Sequence, residues 1–231
     1  MKFDDTRFKT PIYTVAEGGR HLGVPESTFR AWATGYVRQD LAGRQWGGDP
    51  FITTVPGERG HPTIPFVGLV EGTVAAAFRR AGVSLQHLKH ALAVLEQQIG
   101  IKYALASRFL YTDGARILFD YAEQTDAEEV AVVVTGQRVF VPVVKDYLRR
   151  IHYADDRYAD RLVLPITKRP LIEVDPTRDF GKPRLVKSGV PVAPVLDRFK
   201  AGESLASVAA DFDLDPADLE DVLRAAIPEA A

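Results

Sequence analysis

The segment from Thr14 to Tyr36, TVAEGGRHLGVPESTFRAWATGY, constrains the fold of this chain more than any other stretch. Thr14 is a residue type that caps helices, and Glu17 three residues later completes a capping box. Gly23 suits the left-handed residue that ends a helix, and Pro25 suits the first turn of the next helix. The segment therefore predicts two short helices joined by a tight glycine turn, which is the helix-turn-helix arrangement.

The second predicted helix has one apolar face and one polar face. Phe29 and Trp32 are three residues apart, so they share the face that we expect to be buried. Ser27, Thr28 and Arg30 are left on the opposite face. In a helix-turn-helix module this face enters the major groove, where arginine reads guanine and serine or threonine contacts bases or phosphates. An ordinary helical hairpin fits the same pattern, so the pattern alone leaves both interpretations open.

These residues resemble the beginning of MerR-like winged-helix domains. The resemblance covers residues 11–36 and rests on the strings Tyr13-Thr-Val-Ala-Glu, Leu22-Gly-Val-Pro and Ser27-Thr-Phe-Arg-Ala-Trp. It implies that the second helix enters the major groove and that a β-ribbon wing follows it. We expect the wing within residues 37–65, with one strand at 51–55 and another entered through 61–65. The DNA contacts added by this interpretation are Tyr36, Arg38, Arg44 and Arg59, although a solvated surface charge is the simpler role for any single arginine.

Two helical patterns and a β-rich stretch come next. Apolar periodicity predicts helices over residues 67–80 and 84–99, and the latter carries His87 and His90 on one face. Because no third ligand is nearby, we interpret these residues as surface or partly buried histidines and predict no metal site. Residues 101–175 form the predicted β-rich middle segment, with hairpin signals at Asp113-Gly114 and Thr135-Gly136. An edge of this sheet is a possible pairing surface for another chain.

Composition narrows the functional classes. The chain has 231 residues, with 29 Lys and Arg against 31 Asp and Glu, so DNA binding requires a local basic patch. The absence of cysteine excludes disulfides, zinc–thiolate sites and thiol nucleophiles. No phosphate-binding loop, nucleophile elbow or His-Glu-x-x-His motif is present, so we predict a non-enzyme without cofactors. The polar start and the lack of a long apolar run predict a cytoplasmic protein with no membrane contact.

The carboxy-terminal region predicts three short helices of helix-turn-helix kind. Ser204 and Asp215 are the expected caps of the second and third helices, and Pro216 fits the first turn of the third. Residues 175–227 resemble a small bacterial domain family of uncharacterised function that is common in antitoxins. The strings that carry this resemblance are Gly181-Lys-Pro, Gly189-Val-Pro-Val and Ala201-Gly-Glu-Ser-Leu.

Charge distinguishes this module from the amino-terminal one. Between residues 201 and 231 the only basic residue is Arg224, whereas the third helix carries Asp218, Glu220 and Asp221. Phosphates would repel such a helix. We therefore assign the carboxy-terminal module to protein contacts and the amino-terminal module to DNA.

Together the two resemblances imply a VapB-type antitoxin of α+β class. The expected parts are a MerR-like winged-helix domain at 1–100, a β-rich segment at 101–175 and a three-helix domain at 176–231. The resemblance implies a homodimer that neutralises a PIN-type ribonuclease toxin and represses its own operon at operator DNA. A basic side chain could block the carboxylates of the toxin, and the candidates are Arg178, Lys182, Arg184 and Lys187. The alternative is a free-standing transcriptional regulator whose middle segment senses a ligand.

Overall fold

The computed structural model describes residues 5–109 and 146–226, apart from positions 41, 59, 83–84, 86–87, 90–91, 94–95 and 98–99. The chain divides into two compact units, Met1–Asp160 and Arg161–Ala231. Both contain helices and short antiparallel strands, so the α+β class is confirmed. The three-part division at residues 100 and 175 stays a prediction. His87, His90 and the two predicted hairpin turns of the middle segment lie outside the described residues.

The amino-terminal unit places a helix-turn-helix beside one long helix. Its elements are α1 (Thr6–Lys9), β1 (Pro11–Tyr13), α2 (Val15–Leu22), α3 (Glu26–Thr34), β2 (Tyr36–Gln39), β3 (Gln45–Gly48), β4 (Ile64–Pro65), α4 (Phe66–Arg80) and β5 (Ile151–Tyr153). Strand β1 pairs with β4, and β2 pairs with β3, both antiparallel. No helix within the described residues is long and apolar enough to cross a bilayer.

The capping signals read from sequence are confirmed. Thr14 Oγ1 accepts a hydrogen bond from the amide of Glu17 at 3.2 Å, and Glu17 Oε2 accepts one from the amide of Thr14 at 2.8 Å. Gly23 ends α2 with φ of 61°, in the left-handed region that favours glycine. Pro25 occupies the N-cap of α3, one position earlier than expected. These local interactions define both ends of the turn between α2 and α3.

The ring of Phe29 is the centre of the helix-turn-helix core. It is fully buried, as is Leu22, and Trp32 is only 6% exposed, so the inward orientation expected for Phe29 and Trp32 is confirmed. On one side the ring lies so close to Gly18 of α2 that a β-carbon there would overlap Phe29 Cε1. On the other side a β-carbon at Gly72 of α4 would lie 2.8 Å from Phe29 Cε2. Two glycines on different helices therefore leave room for one aromatic ring.

Helix α4 is buried on every side. All its residues from Phe66 to Phe78 are buried, including the acidic Glu71 and the polar Thr73. Glu71 Oε2 accepts a hydrogen bond from the amide of Thr53 at 2.6 Å. Burial raises the pKa of Glu71 to about 7, while the hydrogen bonds from Thr53 act in the opposite direction.

The expectation of a wing strand at residues 51–55 is wrong, and the strand expected after residue 61, β4, pairs with β1 instead of forming a ribbon. Residues 51–55 do not form a strand, because the amides of Phe51 and Ile52 donate to the carbonyl of Trp32 at 2.7 and 3.1 Å. The next amide, of Thr53, donates to Glu71 rather than to a neighbouring strand. The β-ribbon lies earlier in the chain, where β2 pairs with β3 from Tyr36↔Gly48 to Gln39↔Gln45. Its turn is closed by Asp40, whose Oδ1 accepts from the amide of Arg44 at 2.8 Å.

The carboxy-terminal unit combines a small antiparallel sheet with three helices. Its boundary with the first unit falls within β6 (Ala159–Val163), and β7 (Ile172–Val174), β8 (Arg184–Leu185), α5 (Val192–Lys200), α6 (Leu205–Asp211) and α7 (Pro216–Ala226) follow. Strand β7 pairs with β6 and with β8. The three helices meet through Val195, Val208 and Leu219, which are fully buried. Ser204 caps α6 by accepting from the amide of Ser207 at 3.2 Å.

Glu71 makes stability dependent on pH near neutrality. Its pKa is about 7 in the folded chain and near 4.5 in the unfolded chain, so folding favours the protonated form. The contribution of Glu71 to the free energy of unfolding is fully present below its unfolded pKa. Roughly 3 kcal/mol of it is lost as the pH rises through about 7. We expect Glu71→Gln, which keeps an acceptor for Thr53, to become more stable relative to wild type between pH 5 and pH 8. Urea unfolding followed by circular dichroism measures this, with Glu58→Gln as the exposed control; a pH-independent difference would contradict it.

The two-glycine packing of Phe29 predicts an energetic coupling between α3 and α4. Alanine normally favours a helix over glycine by about 1 kcal/mol. Gly72→Ala is nevertheless expected to destabilise the protein by about 1–2 kcal/mol, because the new methyl overlaps the ring of Phe29. Phe29→Leu in the same chain should recover part of this loss. A double-mutant cycle from denaturant unfolding measures the coupling, and simple additivity of the two changes would refute this packing argument.

Candidate nucleic-acid interface

The outer face of α3 and the β2–β3 hairpin enclose an open groove of about 730 Å³. Ser27, Thr28 and Ala31 of α3 line one side, and Tyr36 and Arg38 of β2 line the other. Tyr36 and Arg38 lie on the same face of β2 because alternate residues of a strand share a face. The structure thus brings together four residues that sequence analysis assigned to DNA contact: Ser27, Thr28, Tyr36 and Arg38.

The hairpin is placed against α3 by glycines. Gly35 links α3 to β2 with φ of 71°, a conformation that side chains other than glycine rarely adopt. A β-carbon at Gly35 would also lie 3.1 Å from Pro50 Cδ. Gly47 stands opposite Val37 in the ladder, and a β-carbon there would overlap the carbonyl oxygen of Tyr36. The close approach of these backbones keeps Tyr36 and Arg38 next to α3.

The rim of the groove carries basic side chains that sequence analysis did not single out. Arg79, at the end of α4, and Lys89 both line it. Lys89 pairs with Asp49 at 2.9 Å, whereas Arg79 is exposed. On the opposite wall the guanidinium of Arg38 lies 5.5 Å from the ring centre of Tyr36. Arg79 and Lys89 follow α3 by about 50 residues, so no local pattern connects them with the groove.

Arg30 lies on the exposed surface of α3 but does not line the groove. Its guanidinium forms an ion pair with Glu26 one turn earlier, and both side chains are more than 40% exposed. Exposed pairs at this spacing are worth only about 0.3–0.5 kcal/mol, so a phosphate or base can displace Glu26. Arg30 is therefore available to a partner of α3.

The remaining two arginines differ in position. Arg44 lies in the turn of the hairpin, where its Nε donates to Asp40 Oδ2 at 2.9 Å, and it is exposed. It is not among the residues that line the groove. Arg59 lies outside the described residues.

His21 adds no positive charge to the helix-turn-helix. Burial lowers the pKa of His21 to about 4, with Glu17 acting in the opposite direction and Arg20 in the same direction. The imidazole packs edge-on against the ring of Tyr13, with 5.5 Å between ring centres. The side chain is neutral at physiological pH, so the positive charges near this surface are those of arginine and lysine. Within the described residues, no group of three histidine or carboxylate side chains has the arrangement of a metal site.

The basic segment of the carboxy-terminal unit is only partly available to a partner. Arg178 and Lys182 are exposed, and Arg178 pairs with Asp175 at 3.5 Å. Lys187 contacts Asp213, donating to its carbonyl oxygen at 2.8 Å. Arg184 corrects the expectation of an exposed basic side chain: it is 9% exposed, lies opposite Glu173 in the sheet and donates to the carbonyl of Gly189 at 2.6 Å. Its position in the β7–β8 ladder requires this burial.

Family models match the two regions that carry the helical motifs. Residues 11–92 match a model described as "Putative DNA-binding HTH domain", and residues 172–225 match one described as "Protein of unknown function (DUF433)". The first match includes α2, α3, the hairpin and α4. The fold and the groove, together with this match, define a protein with an amino-terminal helix-turn-helix DNA-binding domain.

Whole-chain relatives identify the family. The chain is 39% identical over 230 residues to a Mycobacterium tuberculosis protein named "Putative antitoxin VapB45", with 96% of each chain covered. A second protein of that organism, "Uncharacterized protein Rv2308", is 23% identical over 220 residues, which is 92% of this chain and 88% of the relative. The crystal structure of Rv2018 from Mycobacterium tuberculosis has a TM-score of 0.76 and 36% identity, covering 94% of this chain and 99% of that one. The chain belongs to the family of the protein named as the VapB45 antitoxin.

Proposed function

We propose that this protein is a DNA-binding antitoxin. Its amino-terminal unit binds duplex DNA, and its carboxy-terminal unit binds and neutralises a toxin protein. The name of the relative that is 39% identical supports the antitoxin role, and the helix-turn-helix match supports the DNA-binding role. The observation that carries the DNA-binding half is the groove, in which small polar residues of α3 face basic side chains from β2 and α4.

The groove suits a strand of the DNA backbone beside the base edges. Ser27 and Thr28 are short and lie in the first turn of α3, the part of a recognition helix that contacts base edges. Arg38 on the hairpin and Arg79 at the end of α4 supply charge on two sides of that helix. Phosphate contacts of this kind position the protein, while the α3 residues provide sequence preference. The β2–β3 hairpin occupies the place of a wing in this arrangement, as the resemblance to MerR-like domains implies.

The distribution of charge supports DNA binding by the amino-terminal unit and toxin binding by the carboxy-terminal unit. Residues 201–226 of the carboxy-terminal unit contain Arg224 as their single basic residue, beside acidic residues that include Asp218, Glu220 and Asp221. Arg224 forms an ion pair with Glu220, which reduces its attraction for phosphate. An acidic surface of this kind is repelled by duplex DNA. The α6–α7 part of the unit is therefore suited to protein partners rather than to DNA.

The finer proposal follows the VapB-type resemblance. The toxin is a PIN-type ribonuclease, and the antitoxin represses its own operon as a homodimer. A twofold dimer would place two copies of α3 in successive major grooves, one helical turn of DNA apart. Arg178 and Lys182 are both exposed and are our candidates for contact with the carboxylates of the toxin.

Removing the positively charged side chains of Arg38 and Arg79 from the groove should weaken DNA binding by a similar amount for any DNA sequence. Arg38→Ala and Arg79→Ala are each expected to reduce the slope of log affinity against log salt by about 1, because each removes one phosphate contact. Fluorescence anisotropy with a labelled duplex from upstream of the protein's own gene measures this at several salt concentrations. Lys200→Ala, an exposed charge on α5, is the matched control. A slope unchanged in both arginine variants would count against the groove as the DNA site.

The Arg30–Glu26 ion pair on α3 predicts opposite changes in DNA affinity when its two residues are substituted. Arg30→Ala should weaken binding to the preferred duplex by roughly tenfold, since an arginine–guanine pair contributes about 1–3 kcal/mol. Glu26→Gln should strengthen binding, because it releases Arg30 and removes a negative charge at the DNA surface. Gel-shift titrations at one fixed salt concentration measure both variants. Equal affinities for wild type and Arg30→Ala would rule out a contact by Arg30.

A further inference from the structure

Phe180 is an exposed aromatic residue in the carboxy-terminal unit. Its side chain is 86% exposed, whereas Phe8, Phe29, Phe66 and Phe78 are 3% exposed or less. Leaving a large apolar ring in water forgoes the free energy that burial would supply. Exposure to this extent, in a chain that buries those other rings, makes the ring available to a partner.

The backbone presents the ring in an unusual conformation. Asp179, Phe180 and Gly181 have φ values of 46°, 53° and 71°, so three successive residues lie in the left-handed region. Glycine adopts this conformation readily and aspartate tolerates it, but phenylalanine is disfavoured there. Replacing Phe180 by a residue suited to the turn would remove this strain. Strained residues of this kind occur preferentially where the side chain has a binding role.

Hydrogen bonds hold the turn in one conformation. Asp175 Oδ1 accepts from the amide of Thr177 at 2.8 Å and from its hydroxyl at 2.6 Å. The amide of Gly181 donates to the carbonyl of Arg178 at 2.9 Å, and that of Lys182 to the carbonyl of Asp179 at 3.1 Å. A turn that is ordered before binding loses little conformational entropy when a partner arrives. We call residues 175–182 the Phe180 turn.

Basic residues flank Phe180 in the sequence. Arg178 precedes Phe180 by two residues and Lys182 follows it by two, and both are exposed. An aromatic centre with charged neighbours is the composition of a protein-binding hot spot, in which the ring fills a pocket and the charges contact its rim. The complementary surface is an apolar pocket bordered by carboxylates.

We propose that Phe180 is the anchor by which this protein docks on its toxin, with the ring seated in an apolar pocket and Arg178 and Lys182 paired with carboxylates at the edge. This inference rests on the proposed antitoxin function, and it names the contact surface. It shifts the main binding role from the basic residues of the segment to the aromatic residue between them. Arg184 has no part in the surface, because it is buried.

The test compares full-length variants for binding to the purified product of the gene adjacent to that of this chain. Isothermal titration calorimetry is expected to show that Phe180→Ala weakens binding by about 30-fold or more, the size of a hot-spot residue. Arg178→Ser and Lys182→Ser should each weaken it by a few-fold and reduce its salt dependence. The melting temperature and the affinity for DNA should remain those of wild type, because the side chain of Phe180 makes little contact with the rest of its unit.

Val37→Ala is the control, since Val37 is 76% exposed but lies in the amino-terminal unit. Unchanged affinity of Phe180→Ala, in a titration where wild type binds tightly, overturns the Phe180 proposal and leaves the antitoxin function standing. Failure of wild type to bind overturns both. Loss of DNA affinity in Phe180→Ala with toxin binding intact assigns the ring to nucleic acid and also overturns the proposal.

Discussion

The position of α3, the second helix of the helix-turn-helix, depends on the ring of Phe29, which is held between two glycines. Phe29 belongs to α3, Gly18 to α2 and Gly72 to α4, so a single contact joins the three helices of the amino-terminal core. Protein interiors are packed as densely as crystals, and a β-carbon on either glycine would displace the ring. The orientation of α3 relative to α4 follows from this contact. The groove depends on it in turn, because α3 forms one wall and the end of α4 contributes Arg79.

A second connection between α3 and α4 is made by the segment between β3 and β4. Its amides at Phe51 and Ile52 donate to the last turn of α3 through the carbonyl of Trp32. The following amide, of Thr53, donates to the buried carboxyl of Glu71 in α4. This irregular segment thereby supplies hydrogen-bond donors both to the last turn of α3 and to the buried carboxyl group of Glu71. This arrangement accounts for the presence of a carboxyl group in an otherwise apolar helix, where an unpartnered one would be costly.

Sequence patterns correctly predicted those parts of the fold that depend on interactions between residues close together in the chain. The Thr14–Glu17 capping box, the left-handed Gly23 and the inward faces of Phe29 and Trp32 follow from spacing within a few residues. The wing was misplaced because the partners of the amides at 51–53 lie on α3 and α4, which no window of sequence contains. Arg79 and Lys89 were missed for the same reason. The burial of Arg184 depends on strand register, and the exposure of Phe180 depends on backbone angles, neither of which composition reveals.

Ser27 and Thr28, the polar residues of α3 that line the groove, are not part of the buried core. Ser27 is exposed and Thr28 is half-buried, whereas the packing of the same helix is carried by Phe29 and Trp32. Substitutions of Ser27 and Thr28 therefore change the outer surface of α3 while the helix keeps its place. The chemistry of this outer surface and the folding of the helix are therefore separable properties, so related proteins can differ at the surface while sharing one scaffold.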